Sequence, residues 1–231
     1  MKTRWLRSLS ALLLGLPLAA PLQATEILLN GGFETGDFSG WNVGPNPGAG
    51  GCDQPWTVAA SGSECQPLGA PVGGFGAYTS LDGSGPLTRT ISQSFVLAGL
   101  SAATLAWSEA AQVDNGGSLP REFSIDLRDA GNVLIANLYN EVFAAGAGTG
   151  FGLTAHSLDL SALLAAHVGE NVNIAFSTIV PENFTGPAGF LLDAVSLDVT
   201  AAAVPEPASL ALLAIGAAAA GAARRRRSNS N

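Results

Sequence analysis

The chain has 231 residues, a formal net charge of −8, 12% charged and 47% hydrophobic residues. The two cysteines, Cys52 and Cys65, have no histidine near them, which disfavours a metal site there. The acidic balance excludes a nucleic-acid binder, because such a surface repels phosphate.

Charge is unevenly placed along the chain. Lys2, Arg4 and Arg7 stand at the start and Arg224 to Arg227 near the end, leaving only Arg89, Arg121 and Arg128 between them. Met1 to Ala24 has the layout of a secretory signal peptide: the three early cations, an apolar core from Leu9 to Leu18, and a small-residue site after Ala24 or, alternatively, Ala20. An uncleaved N-terminal anchor is the competing reading. Both engage the Sec export machinery and put the following residues outside the cytoplasm.

Thr25 to about Val204 then forms one domain of about 180 residues, large enough for a full core. Its three arginines face seventeen acids, a net of −14. Short β-branched and aromatic runs between Gly/Pro breaks predict strands at Glu26–Leu29, Trp56–Ala60, Phe75–Ser80, Leu87–Val96, Ala102–Ser108, Phe123–Arg128, Val133–Tyr139, Ala155–Leu158, Val172–Ile179 and Gly189–Val199. Apolar and polar residues alternate in Phe123–Arg128 and Val195–Val199, as half-buried strands require. Asn42 to Pro55 reads as a loop, and Gly146 to Gly152 as a flexible hairpin loop. Ser161 to His167 alone has helical character, with Asp159 or Ser161 as its N-cap. The fold class that follows is all-β, an antiparallel jelly-roll sandwich over residues 25–200.

Cys52 and Cys65 lie among glycines and Pro55 in an exported segment, which favours a disulfide closing a surface loop of 14 residues. Such a ring stabilises by up to ~3 kcal/mol. Phe33 and Trp41 read as core packing. Trp56, Trp107, Tyr78 and Tyr139, with polar neighbours Glu109, Gln112, Asp114 and Asn115, are candidates for stacking on sugar rings, and equally for half-buried core. No His-Glu-x-x-His, Gly-x-Ser-x-Gly or phosphate-loop context occurs, so no catalytic constellation is read. His156 and His167 read as structural.

Asn30-Gly31-Gly32-Phe33-Glu34 with Gly40-Trp41, and Phe190-Leu191-Leu192-Asp193-Ala194-Val195-Ser196-Leu197 at the far end, resemble the galactose-binding-like jelly roll of many carbohydrate-binding modules. The resemblance implies that first and last strands lie together beside a structural calcium. Glu34 and Asp193 are the implied ligands, with Asp37 and Asp198 as weaker ones. Calcium takes hard oxygens, which fits carboxylates. A second acid often follows the first in that family, and here Ala194 stands instead.

The end of the chain has three parts: Pro205-Glu206-Pro207, an apolar run from Ala208 to Ala223, and Arg224, Arg225, Arg226 and Arg227. The prolines keep the triplet extended. The run is a short transmembrane helix, below the ~20 residues of a relaxed span. The arginines hold residues 228–231 in the cytoplasm. This order resembles the PEP-CTERM protein-sorting signal, over residues 204–227. The resemblance implies cleavage by exosortase near the triplet, transient inner-membrane anchoring, and delivery to the cell surface or an extracellular polysaccharide matrix. His156 to Leu163 also resembles a segment of exported proteins with that signal. Function on this reading is non-catalytic, at the envelope or in the matrix. The alternative is a lectin-like module binding extracellular polysaccharide, and a polysaccharide hydrolase comes third.

Overall fold

In the computed structural model, residues 23–45, 48, 52–61, 66–83, 85–183, 186–202, 215–221 and 225 are described. The strands are β1 (Ala24–Glu26), β2 (Asn42–Val43), β3 (Gln54–Ala59), β4 (Gly76–Leu81), β5 (Leu87–Val96), β6 (Ala102–Asn115), β7 (Arg121–Asp129), β8 (Leu134–Phe143) and β9 (Ala147–Asp159). Helix α1 (Ser161–Ala165) precedes β10 (Asn171–Val180) and β11 (Ala188–Thr200). One sheet runs β3-β4-β11-β6-β9, with β1 also on β11; the other runs β2-β5-β10-β7-β8. Every pairing is antiparallel, and the two sheets stack as a jelly-roll sandwich. First and last strands do lie together, Ala24 opposite Thr200.

Alternation builds the core. In β10, Val172, Ile174, Phe176 and Val180 point inward and are buried, while Asn171, Asn173 and Ser177 point outward. Ile91, Ile125 and Leu127 extend this face along the same sheet, and Leu105, Leu192 and Leu197 meet it from the facing sheet. Phe33 and Trp41 join this core with ring centroids 5.5 Å apart, as expected. Asn30 organises their loop: its side chain donates to the Asp37 and Ser39 carbonyls and accepts from the Thr35 N–H, while its carbonyl accepts from the Trp41 indole.

Strands at β5, β7, β10 and β11 fall where the pattern puts them. The expected loop over Gly146–Gly152 is instead the first half of β9, paired with β6. Glycine carries no β-propensity, but here it has a steric cause. A Cβ on Gly148 would stand 2.8 Å from Asp114 Oδ1, and one on Gly150 would stand 2.3 Å from Gln112 Oε1. The helix is shorter than expected. Leu160 occupies its N-cap without a side-chain bond, while Asp159 accepts from the Ser161 N–H and hydroxyl at 2.8 and 2.5 Å.

Two of the three central arginines are sealed inside. Arg89, on β5, donates Nη1 to Gln54 O, Thr79 Oγ1 and Ser80 O at 2.6, 2.9 and 2.7 Å, and Nη2 to the Asp53 carboxylate. It thereby ties one sheet to β3 and β4 of the other. Arg121 donates to Gly186 O at 2.6 Å and feels the charges of Asp82 and Asp114.

Residues 1–22 of the expected signal peptide over 1–24, and Cys65, Pro205, Glu206, Pro207, Arg224, Arg226 and Arg227, lie outside the described residues. Of the expected 208–223 span, residues 215–221 are helical and exposed, as is Arg225. Among the described residues no helix is long and apolar enough to cross a membrane.

Candidate functional site

The outer face of the five-stranded sheet carries a groove of about 560 Å³, within the size range of ligand sites. Its floor follows from the strand period. Thr88, Thr90, Ser92 and Ser94 of β5, Asn173, Ala175 and Ser177 of β10, and Ser124, Asp126 and Arg128 of β7 all point to the side away from the core. Asn42–Pro45 and the turn Asp129–Asn132 add to its lining. Small side chains keep the floor low, and thirteen of the nineteen lining residues carry a hydroxyl, an amide or a charge. Thr90 and Ser177 hydroxyls bond at 2.8 Å. Arg128 reaches Asp126 at 2.7 Å, and Asn137 donates to the other Asp126 oxygen at 2.9 Å. Asn173 Oδ1 is buried in the floor without a partner among the described residues. Turning that amide out into the groove would satisfy it with a ligand's donor. No motif announced the groove, because its residues are scattered serines, threonines and asparagines on three strands.

A second polar place joins the two acids singled out by motif. Glu34 accepts from the Gly74 N–H at 2.9 and 3.1 Å and from Phe75 at 3.3 Å. Asp193, fully buried, accepts from Val72 at 2.5 Å and Ala194 at 2.6 Å. The 72–75 loop thus wraps both carboxylates, so closely that a Cβ on Gly73 would stand 2.3 Å from Glu34 Oε1. Burial raises Asp193 above the usual carboxylate range, and the Glu34 charge adds to this against the two N–H donors. Tyr78 is pushed up to about 12 by burial and by Asp193. Ala194, the departure from the motif, sits at φ 48° in the β11 bulge that turns Asp193 inward. Among the described residues no group of three His, Cys, Asp or Glu could hold a metal, so two carboxylates are all that acid chemistry supplies here. Asp37 instead accepts from the Thr35 hydroxyl at 2.8 Å and from Ser39 N–H at 2.9 Å, which lowers it. Asp198 is exposed on β11.

The four aromatic candidates for sugar stacking are drawn inward. Trp56, Trp107 and Tyr78 are buried, and Tyr139 is half-buried with its hydroxyl on Glu109 at 2.7 Å. Of their polar neighbours, Glu109 and Asn115 are buried as well.

Residues 203–227 match the PEP-CTERM protein-sorting motif, which implies exosortase-directed export. No curated protein matches the chain. Its structural neighbours include carbohydrate-binding modules. TmCBM61, solved in complex with β-1,4-galactotriose, is 16% identical, with a TM-score of 0.43, 75% of this chain and 97% of that one covered. The CBM22-1 xylan-binding domain of Paenibacillus barcinonensis Xyn10C is 19% identical, with a TM-score of 0.41 and coverages of 80% and 100%. The Stig cyclase Fisc from Fischerella sp. TAU is 18% identical, with a TM-score of 0.47 and coverages of 78% and 100%. TM-scores below 0.5 leave the ligands and activities of these proteins their own.

Proposed function

We propose that the chain is an exported, non-catalytic glycan-binding protein, held briefly in the inner membrane by residues 208–223 and cut by exosortase near Pro205–Pro207. It then acts at the cell surface or in the extracellular polysaccharide matrix. The observation that carries the binding role is the groove with its unpartnered Asn173 acceptor. A floor of hydroxyls and amides without an exposed aromatic suits one polysaccharide chain held by hydrogen bonds rather than by ring stacking. With Asp126 and Asp129 beside Arg128 on a strongly acidic body, neutral chains are favoured over uronate-rich ones.

Affinity electrophoresis through gels cast with neutral or acidic polysaccharide tests the groove. Retardation in a neutral gel, weakened about tenfold in Asn173→Ala, is expected for one lost hydrogen bond of ~1.4 kcal/mol. Unchanged mobility in every gel defeats the binding role. Processing is tested separately, by blotting with antiserum to the sandwich and an antibody to a tag after Asn231. The tag signal is expected to vanish only where exosortase is present.

Two structural elements belong to the same proposal. Cys52 is bridged to Cys65, closing a ring that contains β3. Calcium sits at Glu34 and Asp193, where a cation would relieve the repulsion that the geometry builds in. Backbone carbonyls would have to complete six to eight oxygens. Millimolar calcium is expected to raise the melting temperature of the wild type and to leave Glu34→Gln unmoved. Equal shifts in both would remove calcium from that place.

A further inference from the structure

The free edges of the two sheets, β8 and β9, lie along the same flank of the sandwich, and the chain crosses from one to the other at residues 144–146. Between these edges is a polar cluster that the groove does not use. Glu109 points inward from β6 and is 2% exposed. From β8, Tyr139 Oη lies 2.7 Å from Glu109 Oε1 and 3.2 Å from Glu141 Oε2. From β9, His156 stacks on Trp107 with centroids 5.0 Å apart, and its Nε2 is 3.4 Å from Glu109 Oε1. Tyr139 packs on both rings, at 5.1 and 5.2 Å, and Phe123 of β7 closes the apolar side. Glu109 Oε2 has no hydrogen-bond partner.

The proton count decides what this cluster is. A phenol has one proton, and here two carboxylates meet it. If both were ionised, one short O···O contact would have no proton, and Glu109 would carry its charge where water does not reach. A buried lone carboxylate charge is expensive, and such a group takes up a proton instead. Glu109 is the more buried acid, and a proton on its Oε1 completes the chain of contacts, Glu109 donating to the Tyr139 hydroxyl and Tyr139 donating on to Glu141. The acidity agrees: burial pushes Glu109 up to about 7, and Glu141 adds to this, while the Tyr139 hydroxyl and the Trp107 indole oppose it.

We propose that protonated Glu109 is a latch between the two sheets at their open flank, and that losing this proton frees Tyr139 and loosens β8 against β6 and β9. The titratable groups that face Glu109 are Tyr139 and Glu141 from β8 and His156 from β9. Ionised Glu109 is left with Glu141 as a like charge and one shared hydroxyl. A carboxyl held above its ordinary range in the folded state keeps a proton that the unfolded chain has given up. The stabilisation is therefore complete below about 4.5 and is lost as pH rises through about 7. An exported protein meets the pH of its medium directly, so the flank tightens in acid and slackens in mild alkali.

The test is thermal unfolding of the full chain in mild detergent from pH 5 to 8.5, comparing wild type, Glu109→Gln and His156→Phe. Gln keeps the shape and the acceptor without the charge. Asp193 is also raised and contributes to every slope, so the difference between variants is what reads Glu109. Wild type is expected to lose about 5 °C or more relative to Glu109→Gln between pH 5 and 8. Glu109→Gln parallel to wild type overturns the latch. So does a slope removed by His156→Phe but not by Glu109→Gln, which would make the imidazole the switch. Should Glu109→Gln fail to fold, Tyr139→Phe carries the test through Trp107 emission. The emission midpoint is expected to move when the hydroxyl is gone, and an unmoved midpoint overturns the latch equally.

Discussion

Two charged side chains are sealed between the sheets at opposite flanks, and their surroundings differ. Arg89 has oxygen partners for both terminal nitrogens: Gln54 O, Thr79, Ser80 O and the Asp53 carboxylate. Glu109 has a phenol that it shares, an imidazole at 3.4 Å and an oxygen with nothing. Equal burial thus yields a fixed pin on one flank and a titratable contact on the other. What separates them is satisfaction of the buried polar atoms, because burial in itself penalises both charges. Burial lowers the Arg89 pKa and Asp53 opposes this, and a guanidinium is basic enough to stay charged through physiological pH.

The largest expected effect breaks the pin. Arg89→Ala leaves Asp53 buried with no counter-charge and removes a donor from Gln54 O, Thr79 Oγ1 and Ser80 O, of which the first two still bond each other. A loss of ~3–5 kcal/mol is expected, about 10 °C in a domain of this size. Removing both partners by Arg89→Met with Asp53→Leu is expected to cost much less, because no unpaired charge remains. Denaturant midpoints of the single and double variants check this. A single variant within 1 kcal/mol of wild type would put Arg89 on a par with a surface residue.

The middle effect is the pH-dependent one. Between about pH 4.5 and 7 the Glu109 latch is worth ~2–3 kcal/mol at most. Glu109→Gln is therefore expected to be close to wild type at pH 5 and more stable than wild type at pH 8. Arg89→Ala is expected to be worse at both. A crossing of the wild-type and Glu109→Gln stability curves, seen in melting temperature against pH, is what sharpens the contrast between pin and latch. Parallel curves would make Glu109 a second pin.

The sandwich was legible because alternation is a local property. Phe123–Arg128 and Val195–Val199 show it over five or six residues, and β7 and β11 fall there. The same signal failed at Gly146–Gly152, where the need for glycine comes from Gln112 and Asp114 on a strand thirty residues earlier. The Glu34 and Asp193 pair was legible through a motif, since the β1–β11 pairing brings chain ends together. The groove was not, because Thr90, Ser124 and Ser177 are unremarkable until three strands align them. Aromatic residues drew attention as sugar platforms, yet Trp107 and Tyr139 serve the interior. Trp107 stands between Ala106 and Ser108 and Tyr139 between Leu138 and Asn140, so strict alternation does not settle which way either ring faces.

The smallest expected effect concerns the third arginine. Arg128 bonds Asp126 at 2.7 Å as Arg89 bonds Asp53, but its side chain is 28% exposed and it lies on the groove side of β7. Water competes for both partners there, and a half-wet ion pair is worth ~0–1 kcal/mol. Arg128→Ala is therefore expected to shift the melting temperature by about 2 °C or less, while altering retardation in polysaccharide gels. A shift as large as that of Arg89→Ala would mean that formal charge, and not burial with full hydrogen bonding, governs what an arginine contributes in this sandwich. A small shift with altered retardation would assign Arg128 to the groove and leave the sheets to be joined from inside.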